Sequence, residues 1–381
     1  MTKKDKVVRC AYCVMDTTDI AIVFDSNGIC DHCNSFLNKF QALWFKARKG
    51  LLISELREIT ETIKLEGKSN KYNCIIGLSG GTDSSYVLHY IVTELGLRPL
   101  VFHIDTGWNT KAAVANINNL VTKLGLQLQV KVIDWEEMRA LQLAFFQSGV
   151  SNIDVPQDHA FMAYLYNFAY NNNIKYIFNG GNISTEGVRV PLAWMYYQSD
   201  VSLLKDIAKK YMDIPLKKFP LSSVLNHKFY LRWIKGIKVI KPLDYIPYVK
   251  SEAVELLQSL YDWEPFRYKH YESIFTRFYE GYWLPKRFNF DTRKITLSSM
   301  IHTSQITREE SIETLSKPAL TKLESMNECS FIAKKLRISL EELQQLESLP
   351  IKTYKDYKNQ SFIYNLGARS FFWDHYSGAK R

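Results

Sequence analysis

The sequence predicts an α/β protein: a parallel sheet covered by helices, with a small cysteine-bearing ribbon before it and a helical segment after it. Three observations predict this. From Tyr72 onward, short apolar runs with β-branched residues alternate with helix-like stretches, as a sheet covered on both faces requires. Four of the six cysteines fall in two tight pairs near the start. From Phe266 the strand-like runs cease, and charged and aromatic residues interleave at helical spacing. At 381 residues and 44.4 kDa the chain has room for two or three domains. We expect a ribbon at 1–48, a helical linker at 49–69, the sheet domain at 70–265 with an insertion at 184–236, and a helical domain at 266–381.

The cysteine pairs are Cys10-Ala11-Tyr12-Cys13 and Cys30-Asp31-His32-Cys33, with sixteen residues between them. Two such knuckles can converge on one tetrahedral Zn²⁺ as four thiolates. The intervening Ile20–Ile29 reads as a strand and a turn, the layout of a zinc ribbon. A closed four-sulfur shell leaves no open position, so the zinc is expected to be structural. His32 is expected to pack or hydrogen-bond outward rather than ligate. Cys74 and Cys329 read as packed thiols. After the ribbon, Ser54–Leu65 is a helix-like connector.

The first strand, Cys74–Leu78, runs into Ser79-Gly80-Gly81-Thr82-Asp83-Ser84-Ser85 and then into a helix near Ser84–Glu94. Strand, glycine turn and helix start together make an anion cradle, since the helix amides and positive dipole end face whatever the glycines admit. Ser79, Ser84 and Ser85 add hydroxyl donors, and Asp83 could hold a divalent cation. The commoner phosphate loop is excluded. The chain's Gly67-Lys68-Ser69 has Thr62 where that motif needs a glycine, and it follows a polar stretch rather than a strand. The segment Ser79–Ser85 closely resembles the SGGxDS signature of the PP-loop ATP pyrophosphatases, with their adenine nucleotide alpha hydrolase-like fold. That resemblance implies a loop gripping the pyrophosphate of ATP while a substrate oxygen attacks the α-phosphorus.

Further strands are expected at Leu100–Ile104, Gln129–Ile133, Tyr176–Phe178 and Ile237–Ile240, each buried on both faces. Helices are expected near Thr110–Leu124, Trp135–Gln147, His159–Asn171 and Lys250–Leu260. Ligands of such sheets sit beyond the carboxyl ends of the strands. The second strand ends in Ile104-Asp105-Thr106-Gly107, placing Asp105 as an inward carboxylate beside the nucleotide. The fourth ends in Asn179-Gly180-Gly181-Asn182, with Glu186 four residues beyond. This turn is similar to the glycine-rich, glutamate-ended turn of NAD synthetases, which implies that Glu186 shares Mg²⁺ with Asp83. Asp83, Asp105 and Glu186 are thus the expected catalytic carboxylates. Ser79, Gly80, Gly81, Asp83, Ser84, Ser85, Ile104 and Gly180 are the expected ATP contacts. The insertion, with Trp194-Met195-Tyr196-Tyr197 and a basic stretch at Lys205–Lys218, is expected to act as a lid or partner surface.

In the carboxyl-terminal segment, a helix through Lys269, Glu272, Thr276 and Tyr279 would gather cations and hydroxyls on one face. Beyond it, Trp283 and several phenylalanines interleave with Lys286, Arg287, Arg293 and Lys294, a combination suited to an anionic, ring-bearing substrate. Ribbon, loop, Val101–Asn109 and Glu272–Pro285, in that order, resemble the N-acetyl sugar amidotransferases of surface-polysaccharide biosynthesis (the WbpG and PseA group). The resemblance runs from Cys10 to about Arg308. It implies conversion of an acetamido group on a nucleotide-linked sugar to an acetamidino group, with ATP and Mg²⁺. It also implies a separate HisH-like glutaminase and a cyclase-like companion that supply ammonia. Glu272, Arg277, Lys286 and Arg293 become the expected substrate contacts. The alternative is a thiolase-like, tRNA-modifying PP-loop enzyme, which needs a sulfur-carrying cysteine near the nucleotide when only Cys74 and Cys329 remain.

Bulk properties fit either reading. A formal charge of +10 favours polyanionic partners, but the basic residues are spread out, so nucleic acid is not the expected partner. No run of about 18 apolar residues predicts a membrane span. The first residues lack the apolar core of a secretory signal, so residence in the cytoplasm is expected.

Overall fold

A computed structural model describes residues 7–369. Its five strands are β1 (Cys74–Gly77), β2 (Pro99–Asp105), β3 (Leu128–Val132), β4 (Tyr176–Phe178) and β5 (Lys238–Ile240). All pair in parallel, in the order β3-β2-β1-β4-β5. The chain therefore winds outward from β1 to β3, then returns to the other side of β1 for β4 and β5. Between β1 and β4 the direction of winding reverses, and a crevice opens beyond their carboxyl ends.

Side-chain alternation along β1 splits the interior into two cores. Ile75 joins Leu100, Phe102 and Ile177 under the helices Trp135–Ser148 and Val155–Asn171. Cys74 and Ile76 face the other way, with Val101, Tyr176 and Phe178, under Thr82–Thr93, Lys111–Lys123 and Lys250–Tyr261. The expectation that every strand is buried on both faces fails at the sheet edges. Gln129 to Val132 of β3 are exposed, as is Lys238 of β5. An edge strand has one neighbour and incomplete helix cover, so its valines report strand preference rather than depth.

Before the sheet, Arg9–Asp16 and Phe24–Cys30 form isolated antiparallel bridges, and the second knuckle opens the helix Asp31–Lys39. Ile20–Ile29 thus contributes one bridge rather than a full strand. The connector is the helix Ile53–Glu66. The insertion carries the helix Val201–Tyr211 and a π-helical stretch, Leu225–Ile234. Beyond residue 266 the described residues are mostly helical. Thr307 with Glu310, Thr321 with Glu324 and Ser339 with Glu342 form reciprocal capping boxes that start three of its helices.

The expected helix through Lys269 does not form. Lys269–Ser273 is a turn, with His270 in the left-handed region at φ +66°, and the helix begins only at Ile274 under a Ser273 cap. A competing interaction accounts for this. Asn109 and Ser273 form an antiparallel bridge, in which Thr110 N–H donates to Glu272 O (2.9 Å) and Ile274 N–H to Trp108 O (2.8 Å). The loop after β2 therefore holds this segment extended and lays it across the crevice. Among the described residues, no helix is long and apolar enough to cross a membrane.

Candidate functional site

The loop after β1 owes its shape to Gly80. Its φ is +84°, and a Cβ there would lie 2.6 Å from Ala113 O, so only glycine fits. Asn116 Nδ2 donates to Gly80 O (3.2 Å) and to Glu264 O (2.9 Å), which ties the loop to the chain entering the carboxyl-terminal segment. Ser79 and Ser84 hydroxyls lie 3.2 Å apart, and Gly81 N–H donates to Ser79 Oγ (3.2 Å). The loop after β4 closes the other side. A Cβ on Gly180 would lie 2.9 Å from Ser84 N, so the two loops touch backbone to backbone.

Over this cradle lies the turn Lys269–Ser273. Ser79 Oγ donates to Glu272 Oε1 (3.0 Å). Lys269 Nζ bonds three groups at once: Asp83 Oδ2 (2.9 Å), Glu186 Oε1 (2.7 Å) and Thr185 Oγ1 (2.9 Å). Tyr248 OH donates to the other oxygen of Asp83 (2.5 Å). Burial opposes the charge on Asp83, but Lys269, Lys250 and the Tyr248 hydroxyl hold its carboxyl below the ordinary range. Burial likewise opposes Glu186, and Lys269 with Lys241 hold it low. Burial also works against Lys269, yet its two carboxylate partners raise it well above an ordinary lysine. The result is a fixed ionic triad at the switch point.

The structure brings Ser79, Gly80, Gly81, Asp83, Ser84, Gly180, Glu186 and Glu272 into one locality. Ser85 is fully buried and its hydroxyl has no hydrogen-bond partner. Ile104 is buried within β2, paired in register with Lys131. Asp105 turns back on its own loop, accepting from Gly107 N–H (2.8 Å) and Asn109 Nδ2 (3.2 Å). Of the expected cations, Arg277 pairs with Glu328, Lys286 with Glu347 (2.7 Å) and Arg293 with Asp291 (2.7 Å). Their contacts tie the carboxyl-terminal helices together instead of reaching the cradle. Lys269, Tyr248 and Thr185 are not among the expected site residues, and only Lys269 carries a signal in the sequence, its place three residues before Glu272 in the charged and hydroxyl-bearing stretch. Cys74 sits at the far end of β1 from the loop, and burial pushes its thiol up. Cys329 lies on the helix Lys322–Leu336, and burial raises it too.

Cys10, Cys13, Cys30 and Cys33 converge, all four buried, with their sulfurs within 4.8 Å of one another. Cys10–Cys33 and Cys13–Cys30 are 3.7 Å apart and Cys30–Cys33 3.6 Å. A tetrahedron of thiolates about 2.3 Å from one ion has edges of about 3.8 Å, so the set fits a metal centre. His32 stands outside it, with Nε2 2.8 Å from Asp19 Oδ2. The knuckles also anchor the rest of the chain. Arg308 donates to Cys10 O (2.9 Å) and Cys13 O (3.2 Å), and Lys294 pairs with the buried Asp16 (2.6 Å). Lys294 and Arg308 therefore act as fasteners between the two ends of the chain.

Comparison with known proteins places two matches on this geometry. Residues 272–370 match the family described as LPS biosynthesis protein WbpG-like, C-terminal domain, and residues 73–152 match the phosphoadenosine phosphosulfate reductase domain. A curated relative, the uncharacterised protein MJ1599 of Methanocaldococcus jannaschii, is 28% identical over 132 residues, which cover 34% of this chain and 45% of that protein. The match thus spans under half of that relative's length. Among solved structures, NMN synthetase from Francisella tularensis is 15% identical with a TM-score of 0.27, over 55% of this chain and 92% of that one. The U34-tRNA thiolase NcsA from Methanococcus maripaludis, with its [4Fe-4S] cluster, is 14% identical with a TM-score of 0.30, over 91% of each chain. The two family matches support an ATP-using enzyme. With the loop in the first matched segment and Glu272, which bonds it, opening the second, the two matches together support a PP-loop protein of the WbpG type.

Proposed function

We propose that this chain is an ATP-dependent amidotransferase that converts the acetamido group of an N-acetylated, nucleotide-linked sugar into an acetamidino group, in surface-polysaccharide biosynthesis. The reading is supported above all by one contact. Glu272, the first residue of the WbpG-like segment, bonds Ser79 of the loop, so the family-specific part and the nucleotide-binding part form one site.

An amide carbonyl is a poor electrophile, because nitrogen donation quenches it and its oxygen leaves badly. In the proposed reaction the carbonyl oxygen attacks the α-phosphorus of ATP, forming an O–P bond as the bond to pyrophosphate breaks. Ammonia then adds to the imidate carbon, and AMP leaves with the original oxygen. The amides after Gly80 and the hydroxyls of Ser79 and Ser84 receive the pyrophosphate as its charge grows. Asp83 and Glu186 already converge on one cationic point, Lys269 Nζ, which makes them fitting Mg²⁺ ligands. Mg²⁺ held by Asp83 and Glu186 would supply charge neutralisation for the departing pyrophosphate. Lys269, held cationic between them, stands where it can follow the same charge. Zn²⁺ at the four cysteines serves structure, through the fastening by Lys294 and Arg308. Ammonia is expected from a separate glutaminase, since Cys74 and Cys329 are not placed as nucleophiles.

Incubating the chain with ATP, Mg²⁺, ammonium and a panel of UDP- and CMP-linked acetamido sugars tests the reading. Sugar-dependent release of AMP and pyrophosphate is expected, with mass spectrometry showing carbonyl oxygen replaced by an imino group. Release of ADP, or pyrophosphate release driven by tRNA instead of sugar, overturns it.

A further inference from the structure

Next to the ionic triad is a second charged cluster that no predicted role uses. Asp154 occupies the position just before the helix Val155–Asn171 without a side-chain capping bond, and Asp158 stands one turn further along the same face. The carboxyl-terminal segment supplies the opposite wall. Thr276 Oγ1 donates to Asp154 Oδ2 (2.7 Å), Gln157 Nε2 donates to Asp154 Oδ1, and His270 Nδ1 lies 3.1 Å from Glu280 Oε1. A π-helical turn, Tyr279–Trp283, carries Glu280 and Tyr279, and such turns often serve functional sites. The Tyr279 side chain is 1% exposed and its hydroxyl has no hydrogen-bond partner. Tyr279 stands one turn beyond Thr276, on the face that Thr276 brings against Asp154, and the charges that bear on its hydroxyl are those of Asp154, Glu280 and Asp158. A buried phenol left unpartnered among three carboxyl groups is costly and calls for a ligand.

The charge balance identifies the class of ligand. Three carboxyl groups meet one histidine, leaving an excess of acceptors. Asp158 and His270 are accessible to solvent even though protein surrounds them, as side chains lining a cleft would be. Asp154 lies deeper. From there the path leads to the cradle, because Gln157 Oε1 accepts from Thr106 Oγ1 (2.7 Å), the residue after Asp105, and Ser273 Oγ lies 3.5 Å from the same oxygen. Ser273 is followed backward by Glu272, on the loop. The ligand must therefore be small, cationic and rich in N–H donors.

We propose that Asp154, Asp158, Glu280 and the Tyr279 hydroxyl form the binding site for ammonium, the nitrogen donor, beside the adenylylated substrate. This rests on the amidotransferase reading. Ammonium offers four N–H donors to a set that is otherwise short of them. At the site one N–H bond breaks and one O–H bond forms on a carboxylate, leaving neutral ammonia with its lone pair free to form the new C–N bond. Burial first, then the neighbouring Asp158, push the Asp154 carboxyl up to about 8, so above that pH it stands as a carboxylate basic enough to receive that proton, and below it the proton is already in place.

Two measurements on the full-length chain test the site separately from the reaction. In the first, the melting temperature is followed in ammonium chloride against sodium and potassium chloride at equal ionic strength. Ammonium should stabilise the native protein above both, and Asp154→Asn and Tyr279→Phe should each remove the difference. Equal stabilisation by potassium, or an ammonium effect unchanged in both variants, overturns the proposal. In the second, with a turned-over sugar, each variant should raise the KM for ammonium by about tenfold, as expected for loss of one charge-assisted hydrogen bond, while the KM for ATP stays put. Equal rises for ATP and ammonium overturn it. If no sugar is turned over, the amidotransferase reading fails, and the melting experiment still decides whether ammonium is bound.

Discussion

Two charged clusters lie under the same turn, and they differ in balance. At the switch point, Lys269 Nζ reaches both Asp83 and Glu186, and each carboxylate is held low. Beyond His270, Asp154, Asp158 and Glu280 share one histidine, and burial leads the rise of both aspartates. A matched cluster holds its carboxylates in place until another cation takes over from the one it has, because burial makes an unpaired charge expensive. An acid-rich cluster is open to a cation. The comparison teaches that a count of carboxylates says little about function until their counter-charges have been located.

The comparison breaks most easily at Asp83. Replacing it by Asn is expected to lower sugar-dependent pyrophosphate release by about 10²- to 10³-fold, the range for losing one preorganised charge-stabilising group. Cys10→Ser, or removal of metal by a chelator, should free about one metal equivalent per chain and lower stability by several kcal/mol. Loss of metal without a change in the melting curve would contradict the fastening by Arg308 and Lys294. Lys269→Met strands two carboxylates, one of them largely buried. A loss of about 2–3 kcal/mol is expected in urea unfolding, less than for a fully buried pair because Glu186 is partly exposed.

The acid-rich cluster makes a prediction of opposite sign. Because the Asp154 carboxyl is raised in the folded chain, the native state keeps a proton that the unfolded chain gives up near pH 4. Its contribution is fully present below that point and is lost as pH climbs into the neutral range. Asp158, Glu280, Thr276, Gln157 and Tyr279 surround it, and Asn is the near-isosteric uncharged stand-in for the protonated acid. Asp154→Asn should therefore flatten the fall in stability over that window by up to about 1.4 kcal/mol per pH unit, read by urea unfolding across the range. An unchanged slope would show that Asp154 is not the raised group. The smallest effect concerns Glu272. Its carboxylate sits against a loop that must receive an anion, so Glu272→Gln should lower the KM for ATP by about threefold, as relief of one screened repulsion predicts.

Much of this was legible in the residues. The cysteine spacing foretold a four-sulfur set, and Ser79–Ser85 foretold the cradle, since both depend on neighbours a few residues apart. All five strands fall at or near the expected positions, because apolar runs punctuated by glycine leave few alternatives. Lys269–Ser273 was misread as helix, since nothing local reports that the backbone of Trp108–Thr110 will capture it. That Arg277 pairs with Glu328 and Lys286 with Glu347 could not be assigned by spacing alone, since those partners lie far along the chain, whereas Asp291 stands only two residues from Arg293.

The sequence by itself determined the kinds of element, the cysteine set and the glycine-serine loop after the first strand, because those follow from backbone preference and short-range spacing. Tertiary structure alone decided which charges meet. Asp83 and Lys269 are 186 positions apart, and Asp154 and Thr276 are 122. Whether a carboxylate ends paired or left wanting a cation is settled by the burial and partners it meets after the sheet has closed, and no local pattern encodes either.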